Sequence, residues 1–317
     1  MKHIFIVNPA AGRKDRSRKL TELIKSGAHG TNFEIYQTRC AGDATRFVSE
    51  YCKQYNGPVR FYGCGGDGTL NEIVNGMVGC DNAALGCIPC GSGNDFVKYY
   101  GGAEHFMSIE NLICGEERSI DLMKVDDKYC VNVCDFGFDA FVTKTMYEVK
   151  HHPILGGGNA YTTGVVKALT NGMQTPCRIF VDGEEITSGN ILLCTIANGR
   201  YVGGSFQCAP RALNDDGQLE VCLMNPVSRT KFLTMAGAYQ KGTHIDDPRF
   251  ANGIMSYRRG RRVTVEGGEG FVYILDGEII SKPKFTVEIA ESAVRFVVPV
   301  GAQIPGAATS APSVMQQ

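Results

Sequence analysis

The sequence predicts a two-part architecture: a three-layer α/β half built on a mostly parallel sheet, followed by an all-β sandwich that carries helical insertions. Three observations carry this. Up to Ser119, short apolar runs alternate with amphipathic stretches joined by short links, the pattern of βαβ units. Beyond Ser119 the runs are mainly strands separated by turns such as Asp126-Asp127 and Asp182-Gly183. The Gly-rich turns of the first half all follow strands, where such sheets hold their ligands.

The elements follow in order. Ile4-Phe5-Ile6-Val7 is the first strand and runs into Asn8-Pro9-Ala10-Ala11-Gly12, a small-residue turn in which Asn8 offers an amide. Residues 13–26 read as a helix with Leu20, Leu23 and Ile24 on one face, and residues 33–36 as a strand ending at Thr38. Residues 43–55 form the next helix, with Ala44, Phe47, Val48 and Tyr51 spaced for burial, and residues 59–62 the third strand. Residues 70–77 continue as a helix through Leu70, Ile73, Val74 and Met77, and residues 84–88 as the fourth strand. Strands are then expected over residues 120–125, 129–133, 178–181, 191–197, 217–224, 262–266, 271–275, 285–289 and 294–298, with helices near 141–149, 161–169 and 229–239. The expected division is residues 1–122 and 123–289, with 290–301 returning to the first domain and 302–317, rich in Ala, Pro and Ser, a disordered tail. Residues 151–158, His151-His152-Pro153-Ile154-Leu155-Gly156-Gly157-Gly158, read as a mobile loop with solvent-exposed histidines.

The chain is organised around Gly63-Cys64-Gly65-Gly66-Asp67-Gly68-Thr69-Leu70-Asn71-Glu72. Glycines at a strand-to-helix turn bare backbone N–H groups, and the helix N-terminus adds a positive end; together they make an anion site. Asp67 in its middle would repel phosphates unless a metal ion or ordered water mediates, which points to Mg-nucleotide chemistry. The plain alternative is a tight turn. Gly63, Gly65 and Gly68 also match the dinucleotide fingerprint, but that motif opens a first βαβ unit and this one lies later. No G-K-[S/T] follows, which excludes a Walker loop. A second turn, Pro89-Cys90-Gly91-Ser92-Gly93-Asn94-Asp95-Phe96, faces the same crevice; Ser92 can reach a phosphate and Asp95 can assist in positioning, or Asn94 and Asp95 simply cap a helix.

Composition excludes other classes. The 317 residues carry a net charge of −1, so nothing favours nucleic acid. There is no apolar run long enough for a transmembrane helix and no signal-peptide pattern at the start, and the 13 scattered cysteines read as reduced core residues of a cytoplasmic protein. Cys87-Ile88-Pro89-Cys90 has no second pair at zinc-finger spacing.

With these residues in hand, the chain resembles the diacylglycerol kinase catalytic family, soluble lipid kinases that include the YegS-like proteins. Asn8-Pro9-Ala10-Ala11-Gly12 is similar to its N-P-x-[A/S]-G, Gly65-Gly66-Asp67-Gly68-Thr69-Leu70-Asn71-Glu72 to its G-G-D-G-T-x-N-E, and Gly91-Ser92-Gly93-Asn94-Asp95-Phe96 to its G-[T/S]-x-N-D-[F/L]. Tyr201-Val202-Gly203-Gly204, Pro210-Arg211-Ala212-Leu213-Asn214-Asp215-Asp216-Gly217 and Asp276-Gly277-Glu278 match stretches of its second domain. The resemblance reaches Pro299 and implies an N-terminal nucleotide-binding domain of the NAD kinase and diacylglycerol kinase type. It implies ATP against Asn8, Pro9, Ala10, Ala11, Gly12, Thr38, Gly65, Gly66, Asp67, Gly68, Thr69, Leu70, Asn71, Glu72, Gly91, Ser92, Asn94 and Asp95. It implies Glu278 as the proton acceptor with Asp276 in support, Asp67 as an anchor for catalytic Mg2+, and a structural Mg2+ at Asp216 with the carbonyls of Leu213 and Gln218.

The expected activity is ATP- and Mg-dependent phosphorylation of a lipid hydroxyl, diacylglycerol by default. Phosphatidylglycerol, a sphingoid base, or a catalytically silent regulator are the alternatives. The lipid implies transient membrane association. Arg258-Arg259-Gly260-Arg261-Arg262 is the expected contact with anionic lipid, against the reading of a solvated hairpin turn. An edge strand could pair across a homodimer. Cys90 stands where the family often has an aliphatic residue, which suggests an oxidant-sensitive thiol near the nucleotide.

Overall fold

The structure is a computed structural model that describes residues 1–12, 15–150, 152–153 and 155–306. The first half alternates β1 (Lys2–Val7), α1 (Ser17–Gly27), β2 (Phe33–Gln37), α2 (Asp43–Gln54), β3 (Val59–Gly65), α3 (Asp67–Met77) and β4 (Ala83–Pro89), then the short α4 (Asp95–Lys98) and α5 (Ile109–Ile113). The second half contains β5 (Glu116–Val125), β6 (Lys128–Cys130), β7 (Val133–Gly137), α6 (Phe138–Val149), α7 (Ala160–Asn171), β8 (Thr175–Val181), β9 (Glu184–Ile191), β10 (Leu193–Ala197), β11 (Leu219–Met224), α8 (Arg229–Gln240), β12 (Met255–Gly260), β13 (Arg262–Glu266), β14 (Val272–Leu275), β15 (Glu278–Ser281) and β16 (Lys284–Val298). An α/β half followed by a β-sandwich is therefore what the chain forms.

β1 to β4 pair in parallel; the apolar residues of β1, β3 and β4 are buried on both faces, as a sheet covered by helices requires, and those of the edge strand β2 are half-buried. The sheet does not stop at β4. Its order is β2-β1-β3-β4-β16-β13-β8-β9, with β5 paired to β16 and β6. Arg295 and Phe296 of β16 run parallel to Ala84 and Leu85, while the earlier part of β16 pairs antiparallel with β13. One hydrogen-bonded ladder thus runs through both halves. A six-stranded antiparallel sheet, β12-β11-β10-β7-β14-β15, stacks on the second half of it.

Strand alternation sorts the second half into two cores. Cys134, Phe136, Cys194, Ile196, Val221 and Leu223 point inward between the sheets. Val133, Leu193, Ala197, Cys222 and Met224 point outward and are covered by Phe138, Val142 and Tyr239 of the helical layer. The same parity sends Asp135 and Thr195 outward, beneath α6 to α8.

Several expected boundaries shift. Residues 285–289 and 294–298 are one strand, because an irregularity between Ala290 and Val294 absorbs the break; Ser292 there adopts φ +48° and its N–H donates to Asp121. Residues 191–197 belong to two strands, β9 and β10, and β9 and β12 were not foreseen because their exposed polar residues hide the alternation. α1 begins at Ser17, and residues 13–14 lie outside the described residues. Of residues 302–317, only 302–306 are described; Gln303 N–H donates to Tyr100 O at 3.0 Å. Residues 151 and 154 of the histidine loop are likewise outside the description.

Phe296, fully buried on β16, packs against Phe96, Tyr100 and Phe106. Phe296→Ala should lower stability by about 3–5 kcal/mol in denaturant unfolding, the usual cost of emptying such a site; a loss below about 1 kcal/mol would show that β16 is not an integral part of the first core.

Candidate active site

β3 runs through Gly65, so Gly66 alone separates it from α3, and Asp67 is already helical. The three loops after β1, β3 and β4 lie against one another. A Cβ on Gly12 would come within 2.6 Å of Cys90 O, and one on Gly91 within 2.5 Å of Gly66 Cα. Gly65 likewise leaves room for Thr69. These glycines serve loop-on-loop packing. Gly68, in the first turn of α3, faces open space and is where a ligand can approach bare backbone. Asn8 Nδ2 donates to Thr69 Oγ1 at 2.9 Å, and Asn8 Oδ1 accepts from Ala10 N–H, which ties the first loop to α3. Asn94, at φ +50°, closes the loop after β4 by exchanging two hydrogen bonds with Gly91, and leaves Ser92 exposed on it.

Not every residue assigned to ATP faces these loops. Leu70 is buried in the core, and the Glu72 carboxylate accepts from Ala44 N–H at the start of α2, pinning α2 against α3. Thr38 is buried where β2 ends, its N–H donating to Val7 O. Asn71 reaches into the second half, donating to Tyr129 O and to Asp276 Oδ2. Cys90 is buried, and burial pushes its thiol up, the opposite of a reactive thiolate.

Three carboxylates meet at the junction of the halves. Asp67 Oδ1 accepts from Phe96 N–H at 3.1 Å. Burial raises its pKa, against that hydrogen bond, and the nearby Asp95 charge raises it further. Asp95 accepts from Gly204 N–H and from Lys98 Nζ, which also donates to Gly204 O, so the loop after β4 is clasped to Gly204. Asp276 and Gly277 form the two-residue turn between β14 and β15, both with positive φ (45° and 89°), as Asp-Gly in a tight hairpin favours. The turn also ties the halves together: the Asp276 carboxylate accepts from Val131, Asn132 and Val133 N–H and from Asn71 Nδ2.

The other assigned residues lie apart. Glu278 is 62% exposed and pairs with Lys128 at 3.0 Å. Asp216 accepts from Gln218 N–H and is engaged by Arg259. Neither Asp216, Leu213 nor Gln218 lines the cavity described next, and among the described residues no three His, Cys, Asp or Glu side chains converge to hold a metal.

A cavity of about 500 Å³ lies between the second sheet and the helices α6, α7 and α8. Phe138, Val142, Met146, Leu193 and Phe232 form part of its apolar wall. Its other end carries Asp67, Asp95, Asp135, Asp139 and Asp276, and among the described residues no Lys, Arg or His lines it. Asp135 and Asp139 were not anticipated. The available signal was Asp135 standing in the otherwise buried strand Val133–Gly137. Asp135 is buried and accepts from Thr195 Oγ1, which also meets Tyr239 OH. Burial, then the Asp139 charge, holds the Asp135 carboxyl well above the usual range; burial pushes Asp139 up to about 6.

Glycine loops at the carboxyl ends of parallel strands thus open across the junction of the halves into a large apolar cavity. Residues 2–125 match the diacylglycerol kinase catalytic domain, and residues 132–298 the YegS C-terminal NAD kinase beta sandwich-like domain. A diacylglycerol kinase of Bacillus subtilis (strain 168) is 30% identical over 280 residues, 86% of this chain and 88% of that protein. A probable lipid kinase YegS of Escherichia coli O127:H6 is 30% identical over 278 residues, covering 85% and 87%. A diacylglycerol kinase structure from Bacillus anthracis (str. Sterne) shares the fold at 22% identity, with a TM-score of 0.67 and coverage of 94% and 97%. The chain belongs to the diacylglycerol kinase catalytic family and is a lipid kinase, a phosphotransferase.

Asp139 supplies a stability prediction. Its carboxyl titrates higher folded than unfolded, so its ionisation erodes stability as pH rises from about 4 through about 6. Asp139→Asn should therefore raise the thermal midpoint at pH 7 and give no advantage at pH 4; an equal gain at both values would mean the carboxylate charge is not strained.

Proposed function

We propose that the protein transfers the γ-phosphate of ATP to the hydroxyl of diacylglycerol, giving phosphatidic acid. The observation that carries this is the cavity: an apolar interior that fits acyl chains, whose acidic end meets the glycine loops at Asp67 and Asp95. Among the described residues no basic side chain lines that cavity, which favours an uncharged acceptor over an anionic one such as phosphatidylglycerol. The same acidic end suits the amine of a sphingoid base, so that lipid belongs in the assay.

The residues divide the work. The loops at Asn8–Gly12, Gly66–Thr69 and Gly91–Asn94 receive the triphosphate, with Gly68 giving it close approach to backbone and Ser92 a hydroxyl. Asp67 fits a hard cation, with Asp95, whose Oδ1 is shared with Lys98, beside it: a Cβ on Gly93 would come within 3.1 Å of Oδ2 of each, so glycine keeps space between the two carboxylates. Mg2+ held there supplies charge neutralisation on the phosphates. Asp276, its oxygens already taken by four N–H donors, positions the β14–β15 hairpin. Glu278 on that hairpin is the proton acceptor: its neighbour Gly277 lines the cavity, and among the described residues its carboxylate is held by the exposed Lys128.

Transfer of labelled γ-phosphate to a lipid panel in mixed micelles tests the reading. Diacylglycerol should be labelled and phosphatidylglycerol not, with labelling abolished when Mg2+ is chelated. Glu278→Gln should lower the rate by roughly 10²–10⁴-fold, the range for a lost general base. If Glu278→Gln keeps activity while Asp139→Asn is dead, proton acceptance belongs to the cavity carboxylate; labelling of phosphatidylglycerol alone would refute the substrate.

A further inference from the structure

Large apolar side chains stand exposed on the helices over the cavity: Tyr147 of α6 at 58%, Tyr161 and Val166 of α7 at 48% and 57%, and Leu233 of α8 at 60%. Tyr147, Tyr161 and Leu233 also line the cavity, so its mouth opens through this rim. A lone exposed leucine is ordinary, but apolar residues from three helices around one opening mark a contact surface.

The charge around the rim says what it contacts. Residues 138–171 and 228–241 hold Lys144, Lys150, Lys167, Arg229, Lys231 and Lys241, against only Asp139 and Glu148, in a chain whose net charge is −1. Asp139 faces the cavity. Lys144, Lys150, Lys167 and Lys231 are exposed. Lys144 stands three residues before Tyr147 on α6, so the two are neighbours on the helix surface. Apolar and tyrosine side chains among lysines suit the boundary between headgroups and acyl chains. The arginine run expected to meet lipid is instead largely neutralised: Arg259 pairs with Asp216 and Glu220, Arg261 with Glu291, and Arg262 with Glu288.

We propose that the α6–α7–α8 rim docks on an anionic bilayer and that the acceptor lipid enters the cavity directly through it. The route for the lipid rests on the lipid-kinase reading; the docking surface does not. A bilayer fits better than a protein partner, because the mouth of the cavity lies inside the rim and a protein seated there would seal it.

The test is co-sedimentation with vesicles of phosphatidylcholine, with and without phosphatidylserine. The variant is Val166→Asp with Lys167→Glu and Lys231→Glu, none of which lines the cavity. The parent should bind the mixed vesicles and lose binding as salt rises. Each lysine near an anionic surface is worth about fivefold, ~1 kcal/mol, so losing two should weaken binding by at least roughly 25-fold, and the three introduced carboxylates add to that. Its thermal midpoint and its transfer to a short-chain acceptor dispersed as monomers should match the parent. A comparison variant, Arg258→Ser with Arg261→Ser, should bind vesicles like the parent. The proposal is overturned if the triple variant binds vesicles as the parent does, if the parent ignores mixed vesicles, or if the rim proves to be a contact between two copies that the triple variant dissolves. A parent that binds vesicles through this rim yet phosphorylates no lipid would sink the kinase reading and leave the docking surface standing.

Discussion

The Asp276 carboxylate is the contact on which the site depends. It sits in a two-residue turn of the second sheet, yet its partners come from elsewhere: three consecutive backbone N–H groups entering β7 and the amide of Asn71 on α3. A buried carboxylate is costly unless hydrogen bonds satisfy it. Here those bonds fix the order of three pieces: the hairpin that bears Glu278, the strand that bears Asp135, and the helix that opens at Asp67. Asn75 adds to the same seam by bonding Tyr129 in both directions.

The shared sheet supplies the frame for that seam. β16 pairs with β4 at one end and β13 at the other, so the glycine loops and the sandwich are held by one ladder. Lys98, bridging Asp95 and Gly204, closes the opposite side. The acidic end of the cavity is enclosed between these ties, and the apolar end opens under the helices.

Much of this was legible in the residues. The βαβ alternation, the glycine loops and the three helices of the second half all appear close to where periodicity places them, because each rests on local pattern. What was hidden depends on long-range packing. Nothing local shows that Gly66 and Gly91 exist for each other, that Glu72 turns to α2, or that the last strand joins two layers. Asp135 and Asp139 escaped notice because a short strand-to-helix stretch gives no hint of a cavity beyond it. The arginine run at 258–262 left lipid contact and a solvated turn both open, since the acids that pair with it lie far off in sequence at 216, 220, 288 and 291.

The most direct test of the central claim is a crystal structure with a non-hydrolysable ATP analogue and a diacylglycerol bound together. The account predicts the phosphates at Gly68 and the loop of Ser92, the acyl chains between α6, α7 and α8, and the hydroxyl between Asp67 and the β14–β15 hairpin, within reach of Glu278 directly or through one water. Nucleotide bound away from the glycine loops, or acyl chains outside the cavity, would contradict it.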